Sequence, residues 1–249
     1  MRMFLRIAIL MACTFALRAE EFNAVVLAQV AAMPAGGGYA TTSSAHDALI
    51  KAVHIDAGGV RIHASDAVPS FCSGATYLVF LKAVGALQKS GAVQLTRAQW
   101  DSLLPGRLAD GVGVWGRWNA NGPGTPRLFY ELGLGRNFSS FEEARPGDFM
   151  KIFWTSEVGK HERGHSVIYL GTELKDGVES VRFWSSNKPG GYGEKSVPKS
   201  RIARAIFSRF EVPANLQRLS GLPARDAYLA GLLRKSSSAA EVKQMTGLQ

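Results

Sequence analysis

The chain has 249 residues, 46% hydrophobic and 20% charged, a make-up that fits a globular domain and excludes an intrinsically disordered chain. Its 27 glycines follow no fixed period and no internal repeat is visible, which excludes collagen-like and solenoid architectures. The formal charge is +9, but the basic residues are scattered, with no nucleic-acid motif or basic–aromatic stripe. That excludes a dedicated DNA or RNA reader and leaves a mild field suited to an anionic polymer or membrane surface.

Residues 1–19 have a basic start (Arg2, Arg6), an apolar stretch over 7–17 and a small-residue exit at Leu17-Arg18-Ala19. This is the layout of a secretory signal peptide, and the stretch is too short for a permanent span. The expectation is an exported protein, periplasmic or secreted, with no transmembrane span in the mature chain. Leu10-Met11-Ala12-Cys13 loosely fits a lipoprotein box, with Cys13 as the lipid-bearing residue. The chain has two cysteines, so cleavage leaves Cys72 without an internal disulfide partner. An unpaired thiol in an exported protein is either packed and inert or present to react.

Residues 21–33 read as a helix ended by Pro34 and Gly36-Gly37-Gly38. Ser44 is a candidate cap for a helix over 45–53. Alternation at Val60, Ile62 and Ala64 predicts a short strand. After Pro69-Ser70-Phe71-Cys72-Ser73-Gly74, apolar residues at helical spacing (Leu78, Val79, Leu81, Val84, Leu87) predict the most buried helix of the protein. Thr96 caps a short helix stopped by Pro105-Gly106. Residues 105–140, rich in Gly, Pro and Asn, read as an elaborated loop with one short helix over 127–132. Its Trp115 and Trp118 are either groove or core residues. Strands are expected over 149–154, 166–170, 178–184 and 203–212, and a helix over 216–233, with a loosely attached or disordered tail after Lys235. Helices followed by a run of strands imply α+β, with N-terminal helices packed on an antiparallel β-sheet.

The candidate chemistry starts at Cys72. A thiol at a helix start meets unpaired N–H groups and the positive end of the helix dipole, which favour the thiolate. A thiolate nucleophile needs a base and a group that orients the base. His165 opens a strongly β-forming run and Asn187 ends the next one, so adjacent antiparallel strands can bring them together. The candidate catalytic set is Cys72, His165 and Asn187, with the Cys72 N–H as oxyanion donor. Ser73 either assists or serves as a plain helix-start hydroxyl. No cofactor and no metal is expected for this set.

Three motifs carry a family resemblance. Phe71-Cys72-Ser73-Gly74 before an apolar helix resembles the D-C-S-G helix of the NlpC/P60 cysteine peptidases. Arg145-Pro146-Gly147-Asp148-Phe149 resembles their P-G-D-L turn, and 164–170 is similar to their G-H-V-G-I-Y strand. Phe71 stands where the family has Asp, and Ser166-Val167 replaces V-G. The resemblance implies a papain-like fold, CHAP-related, with Cys72 as nucleophile, His165 as base and Asn187 as orienter. It also implies hydrolysis of a peptide or amide bond in bacterial peptidoglycan. The expected organisation is a signal peptide at 1–19, a helical segment at 20–59, an NlpC/P60-type domain at 60–212 with an insertion at 105–140, and a helical tail at 213–249. Oligomeric state is left open.

Two rival readings remain. His161-Glu162-Arg163-Gly164-His165 matches H-E-x-x-H, the zinc peptidase motif, which requires a helix to put both imidazoles on one face. Gly164 and the adjoining β-branched run oppose that helix, and the expectation is that His161 and Glu162 decorate a hairpin loop. Gly111-Val112-Gly113-Val114-Trp115-Gly116 matches G-x-G-x-x-G but lacks the helix and acidic residue of a dinucleotide site, so it reads as loop. A non-catalytic protein of the same fold, binding cell wall or a partner, is the third possibility.

Overall fold

A computed structural model of the protein describes residues 21–56 and 59–248. The signal-peptide reading and Cys13 lie outside the described residues. The architecture is α+β, as expected from the order of elements. A helix over residues 21–31 (α1) leads to a short strand at Gly36–Gly37 (β1), a helix at Ser43–Lys51 (α2) and a hairpin of Val53–Asp56 (β2) and Gly59–Ile62 (β3). The long helix Cys72–Lys89 (α3) follows, then Arg97–Ser102 (α4), Gly113–Trp118 (α5) and Gly124–Leu132 (α6). The strands Gly135–Phe138 (β4), Phe149–Phe153 (β5), Gly164–Lys175 (β6), Val178–Asn187 (β7), Gly191–Pro198 (β8) and Arg204–Phe210 (β9) come next. Ala227–Gly231 (α7) and Ala239–Thr246 (α8) end the described chain. Among the described residues no helix is long and apolar enough to cross a membrane.

Seven strands form one antiparallel sheet in the order β1-β8-β7-β6-β5-β9-β4. Its two faces follow from strand alternation. Phe149, Ile168, Trp184 and Phe210 join the cluster built on α3, whereas Met150, Ile152, Val167, Tyr169, Phe183 and Phe207 form a second cluster. On α3, Leu78, Val79, Leu81, Val84 and Leu87 are buried as the spacing predicts. Phe80 anchors the helix to the sheet, with its ring 6.2 Å from Phe149 and 5.8 Å from Phe210. Burying one such side chain contributes about 1.5–3 kcal/mol.

Several expectations need correction. The cap of α2 is Thr42, whose Oγ1 accepts the Ala45 N–H, not Ser44. The helix stops at Lys51 because Val53 pairs with Ile62 in the β2–β3 hairpin. The region 105–140 is not a loop with one helix: α5, α6 and β4 lie in it. The G-x-G-x-x-G match falls across the start of α5, and its last glycine serves close packing. A Cβ on Gly116 would sit 2.3 Å from the Ala109 carbonyl oxygen. Trp115 and Trp118 are core residues packed on Tyr77, and Trp118 also borders the cavity at the Cys72 end of α3. Lys188-Pro189-Gly190 does turn the chain, but it turns into β8, a strand missed because its residues are mostly Gly and polar. Residues 213–221 form a 3₁₀ segment and only 227–231 of the predicted helix over 216–233 are α-helical. The tail is docked: Asn137 Nδ2 donates to the Thr246 carbonyl across 2.7 Å, and Val242 is buried.

The turn before β5 is fastened by Asp148. Its carboxylate accepts Arg209 Nε and Nη2 at 2.9 and 2.7 Å, the Arg145 N–H at 2.8 Å and Asn23 Nδ2 of α1 at 2.9 Å. Both ionic side chains are almost fully buried. Removing one partner of a buried pair strands the other charge, at a cost of about 3–5 kcal/mol. Asp148→Ala is therefore expected to lose stability of that order in urea denaturation; a loss within the range of a surface substitution would show that the pair is not structural.

Candidate active site

Cys72 is the first residue of α3, preceded by Phe71 in extended backbone with no side-chain cap. The Cys72 N–H belongs to the first turn, where amides have no intrahelical acceptor. The turn is braced from the 105–140 region. Ser73 Oγ donates to Asn119 Oδ1 at 2.6 Å, and Trp118 Nε1 donates to Thr76 Oγ1 at 3.2 Å. Thr76 Oγ1 in turn donates to the Cys72 carbonyl at 3.2 Å. Ser73 thus does not cap the helix; it ties the turn that carries Cys72 to the segment after α5.

His165 enters from β6, opposite Ile152 of β5, and Asn187 closes β7 opposite Gly191 of β8. The structure brings them together: His165 Nε2 lies 3.1 Å from Asn187 Oδ1. The Asn187 amide is itself fixed, because Nδ2 donates to the Ser185 and Gly193 carbonyls at 3.2 and 2.8 Å. Oδ1 must therefore accept, so His165 Nε2 carries a proton and the other ring nitrogen is left as the one able to exchange a proton with a neighbour. Trp154 stacks over the imidazole, with centroids 6.3 Å apart, and Phe183 meets it edge-on at 5.6 Å.

The Cys72 thiol and the His165 ring act on each other electrostatically. Burial pushes the Cys72 thiol up, but hydrogen bonds from His165 and the Ser166 N–H, with the charges of His165 and Lys151, outweigh it and bring it down to about 6. Chemically this is a thiolate beside an imidazole whose far nitrogen is held by an amide, an arrangement suited to nucleophilic attack and proton return.

Four residues at the site, Tyr39, Lys151, Glu162 and Asp110, were not legible as companions of the cysteine. Tyr39 feels the Cys72 thiolate: burial first, and then the neighbouring sulfur, keep its hydroxyl above the ordinary phenol range. Its backbone is clamped: Tyr39 N–H donates to the Pro189 carbonyl, and Gly38 and Ala40 exchange bonds with Ser70. The glycine run that reads as a helix stop delivers this tyrosine. Gly191 has φ +89°, and a Cβ there would lie 2.3 Å from the Gly36 carbonyl oxygen. Lys151 and Glu162 form an ion pair of 2.6 Å with little solvent exposure, and both line a cavity of about 420 Å³ with Cys72, Ser73 and Asp110. Burial, only partly offset by the Asn121 N–H and Lys151, raises the Asp110 carboxyl.

Glu162 lies with His161 in the β5–β6 hairpin loop, as expected, but its carboxylate is buried against Lys151. The H-E-x-x-H segment before Gly164 is turn, not helix, so His161 and His165 do not share a helical face, and Glu162 is committed to Lys151. Among the described residues no group of three or more His, Cys, Asp or Glu is placed to hold a metal ion. Compared with family models, curated proteins and solved structures, the chain gives no match.

The site makes a signed prediction about pH. Alkylation of Cys72 by iodoacetamide is expected to be slow in acid, rise through a midpoint of about 6 and level off above it. In His165→Ala the midpoint moves up towards the ordinary thiol value of roughly 8.5. Mass spectrometry of the alkylated protein across pH measures both; an unmoved midpoint in the variant would remove His165 from the thiol's surroundings.

Proposed function

We propose that the protein is an exported cysteine hydrolase of the papain-like NlpC/P60 kind, CHAP-related, that cleaves a peptide or amide bond of bacterial peptidoglycan. The observation that supports this reading is the convergence of Cys72, His165 and Asn187 from a helix start and two neighbouring strands, with the imidazole tautomer set by Asn187. The excess of basic over acidic residues suits an anionic wall polymer.

In this reading Cys72 Sγ attacks the substrate carbonyl carbon. The carbonyl oxygen takes the negative charge and is met by the Cys72 N–H and the Tyr39 hydroxyl. His165, protonated after accepting the thiol proton, passes it to the leaving nitrogen as the C–N bond breaks, and a thioester remains on Cys72. A water molecule then gives a proton to His165 and its oxygen to the acyl carbon; the C–S bond breaks and the sulfur recovers its starting state. Asn187 keeps the ring aimed in both halves.

Peptidoglycan fragments incubated with the protein and analysed by mass spectrometry are expected to show new carboxyl and amine ends. Cys72→Ala should abolish cleavage while melting at the wild-type temperature. Tyr39→Phe should lower kcat by about 10²-fold, the scale of one lost oxyanion donor. Cleavage that survives in Cys72→Ala would overturn the reading.

A further inference from the structure

A cavity of about 410 Å³ lies along the second half of α3, walled on its other sides by β3 and, through Gln29, by α1. Lys82, Gly85, Ala86 and Lys89 line it from the helix. Positions i, i+3, i+4 and i+7 share one helix face, so two lysines stand at the ends of a stripe whose middle is small. That middle lets β3 close in: a Cβ on Gly85 would lie 2.8 Å from Val60 Cγ1. At 1.5 Å per residue, Lys82 and Lys89 lie about 15 and 25 Å along the helix axis from Cys72. The recess is therefore a different place from the thiol's surroundings.

Three cations line this recess, Arg61 of β3 with Lys82 and Lys89, and no acidic side chain of the described residues does. Arg61 is paired with Asp56, which balances its charge and fixes the guanidinium beside the recess. Lys82 Nζ donates to the Ala32 carbonyl at 3.1 Å, a neutral partner, and burial lowers its pKa. Among the described residues neither Lys82 nor Lys89 has a carboxylate partner. Two like charges thus face one recess, one of them partly desolvated, an arrangement that a bound anion relieves. We infer that the recess between α3, β3 and α1 is a binding site for a small phosphate ester, its phosphate on Lys82, Lys89 and Arg61 and its short aliphatic body on Val60, Ile62 and Ala86. A phosphate monoester carries roughly 1.5–2 negative charges near neutral pH and three strong acceptor oxygens. That matches two unbalanced ammonium groups and leaves an oxygen for the guanidinium fork; one carboxylate matches half as much. A concave recess admits a soluble ester, whereas a flat bilayer surface cannot bring headgroups to its floor. The site does not depend on the hydrolase reading.

The test titrates the full chain with glycerol 3-phosphate, with glycerate as the carboxylate counterpart and with glycerol, while NMR follows the Val60, Gly85 and Ala86 amides and the Trp154 indole. Glycerol 3-phosphate is expected to shift the three amides saturably and leave Trp154 unmoved. Glycerate should bind at least about tenfold more weakly, the scale of one strong charge-assisted contact, and glycerol should give no saturable shift. Lys82→Gln/Lys89→Gln should weaken glycerol 3-phosphate at least about tenfold as well. Ala86→Phe, which fills the recess and keeps every cation, should abolish the shifts of Val60 and Gly85. Equal affinity for the phosphate and the carboxylate, shifts confined to Trp154, or no saturable shift in the wild type would each overturn the inference, whether or not the variants fold. Unchanged binding by a folded Ala86→Phe protein would do the same. Sedimentation with phosphatidylglycerol vesicles supplies the other source of the same chemistry. Vesicle binding that is lost in the double lysine variant, with amides that ignore glycerol 3-phosphate, would assign the lysines to a membrane surface and overturn the soluble-ester site.

Discussion

Asn187 spends both of its amide protons on backbone carbonyls, and the geometry of the site depends on that constraint. With Nδ2 fixed by Ser185 and Gly193, Oδ1 has one role left, to accept from His165 Nε2. The opposite ring nitrogen is then free to exchange a proton with the sulfur. Were the amide free to rotate, Nδ2 could face the ring, Nε2 would have to accept, and the tautomer would be reversed. Because the two carbonyls belong to β7 and β8, the orientation of one imidazole is a consequence of strand pairing: Asn187↔Gly191 and Ser185↔Gly193 are successive same-face pairs of that ladder.

The sulfur is held from the helix side with similar economy of means. Phe71 gives α3 no side-chain cap, so the first turn is secured by its surroundings instead. Ser70 Oγ donates to Ser186 Oγ at 2.7 Å, joining the residue pair before Cys72 to the residue before Asn187. Asn119 holds Ser73 and Trp118 holds Thr76, so the end of α5 clamps the turn that carries Cys72. Tyr192 Oη donates to the Ala67 carbonyl at 2.9 Å and fixes the lead-in. A helix start left uncapped keeps its amide dipoles unquenched, which is electrostatically useful only if other contacts prevent fraying. The buried aromatic cluster of Tyr77, Phe80, Trp115 and Trp118 supplies that rigidity.

Cys72, His165 and Asn187 and the α+β order were legible because each carries a local signal: a solitary cysteine before an apolar helical run, and two β-branched runs beginning or ending in a polar residue. Tyr39 was not, because its role comes from tertiary pairing. Nothing near it in sequence names a partner, and its position follows from a glycine run meeting Gly191 far along the chain. The fold of 105–140 was misread for a related reason. Glycine and proline usually mark turns, yet here Gly116 permits the close approach of a helix to the Ala109 carbonyl, and local composition does not distinguish the two uses. Strand β8 escaped because an edge-side strand with polar faces lacks the apolar alternation by which strands are recognised.

The H-E-x-x-H segment shows how a charged pair can influence a thiol without bonding to it. A lysine free to reach the thiolate would form an ion pair with it and tie up the lone pair needed for attack. Glu162 holds the Lys151 ammonium at 2.6 Å, close enough for its charge to favour the thiolate but committed elsewhere. The compactness of this packing is set at Gly164, where a Cβ would lie 2.6 Å from Glu162 Oε1 and 2.8 Å from Lys151 Nζ. A side chain at that position would have to displace the pair, disturbing both the ion pair and its effect on the thiol. The H-E-x-x-H string thus arises from two independent requirements: a glutamate and a glycine that seat Lys151, and a histidine that opens the strand facing Cys72.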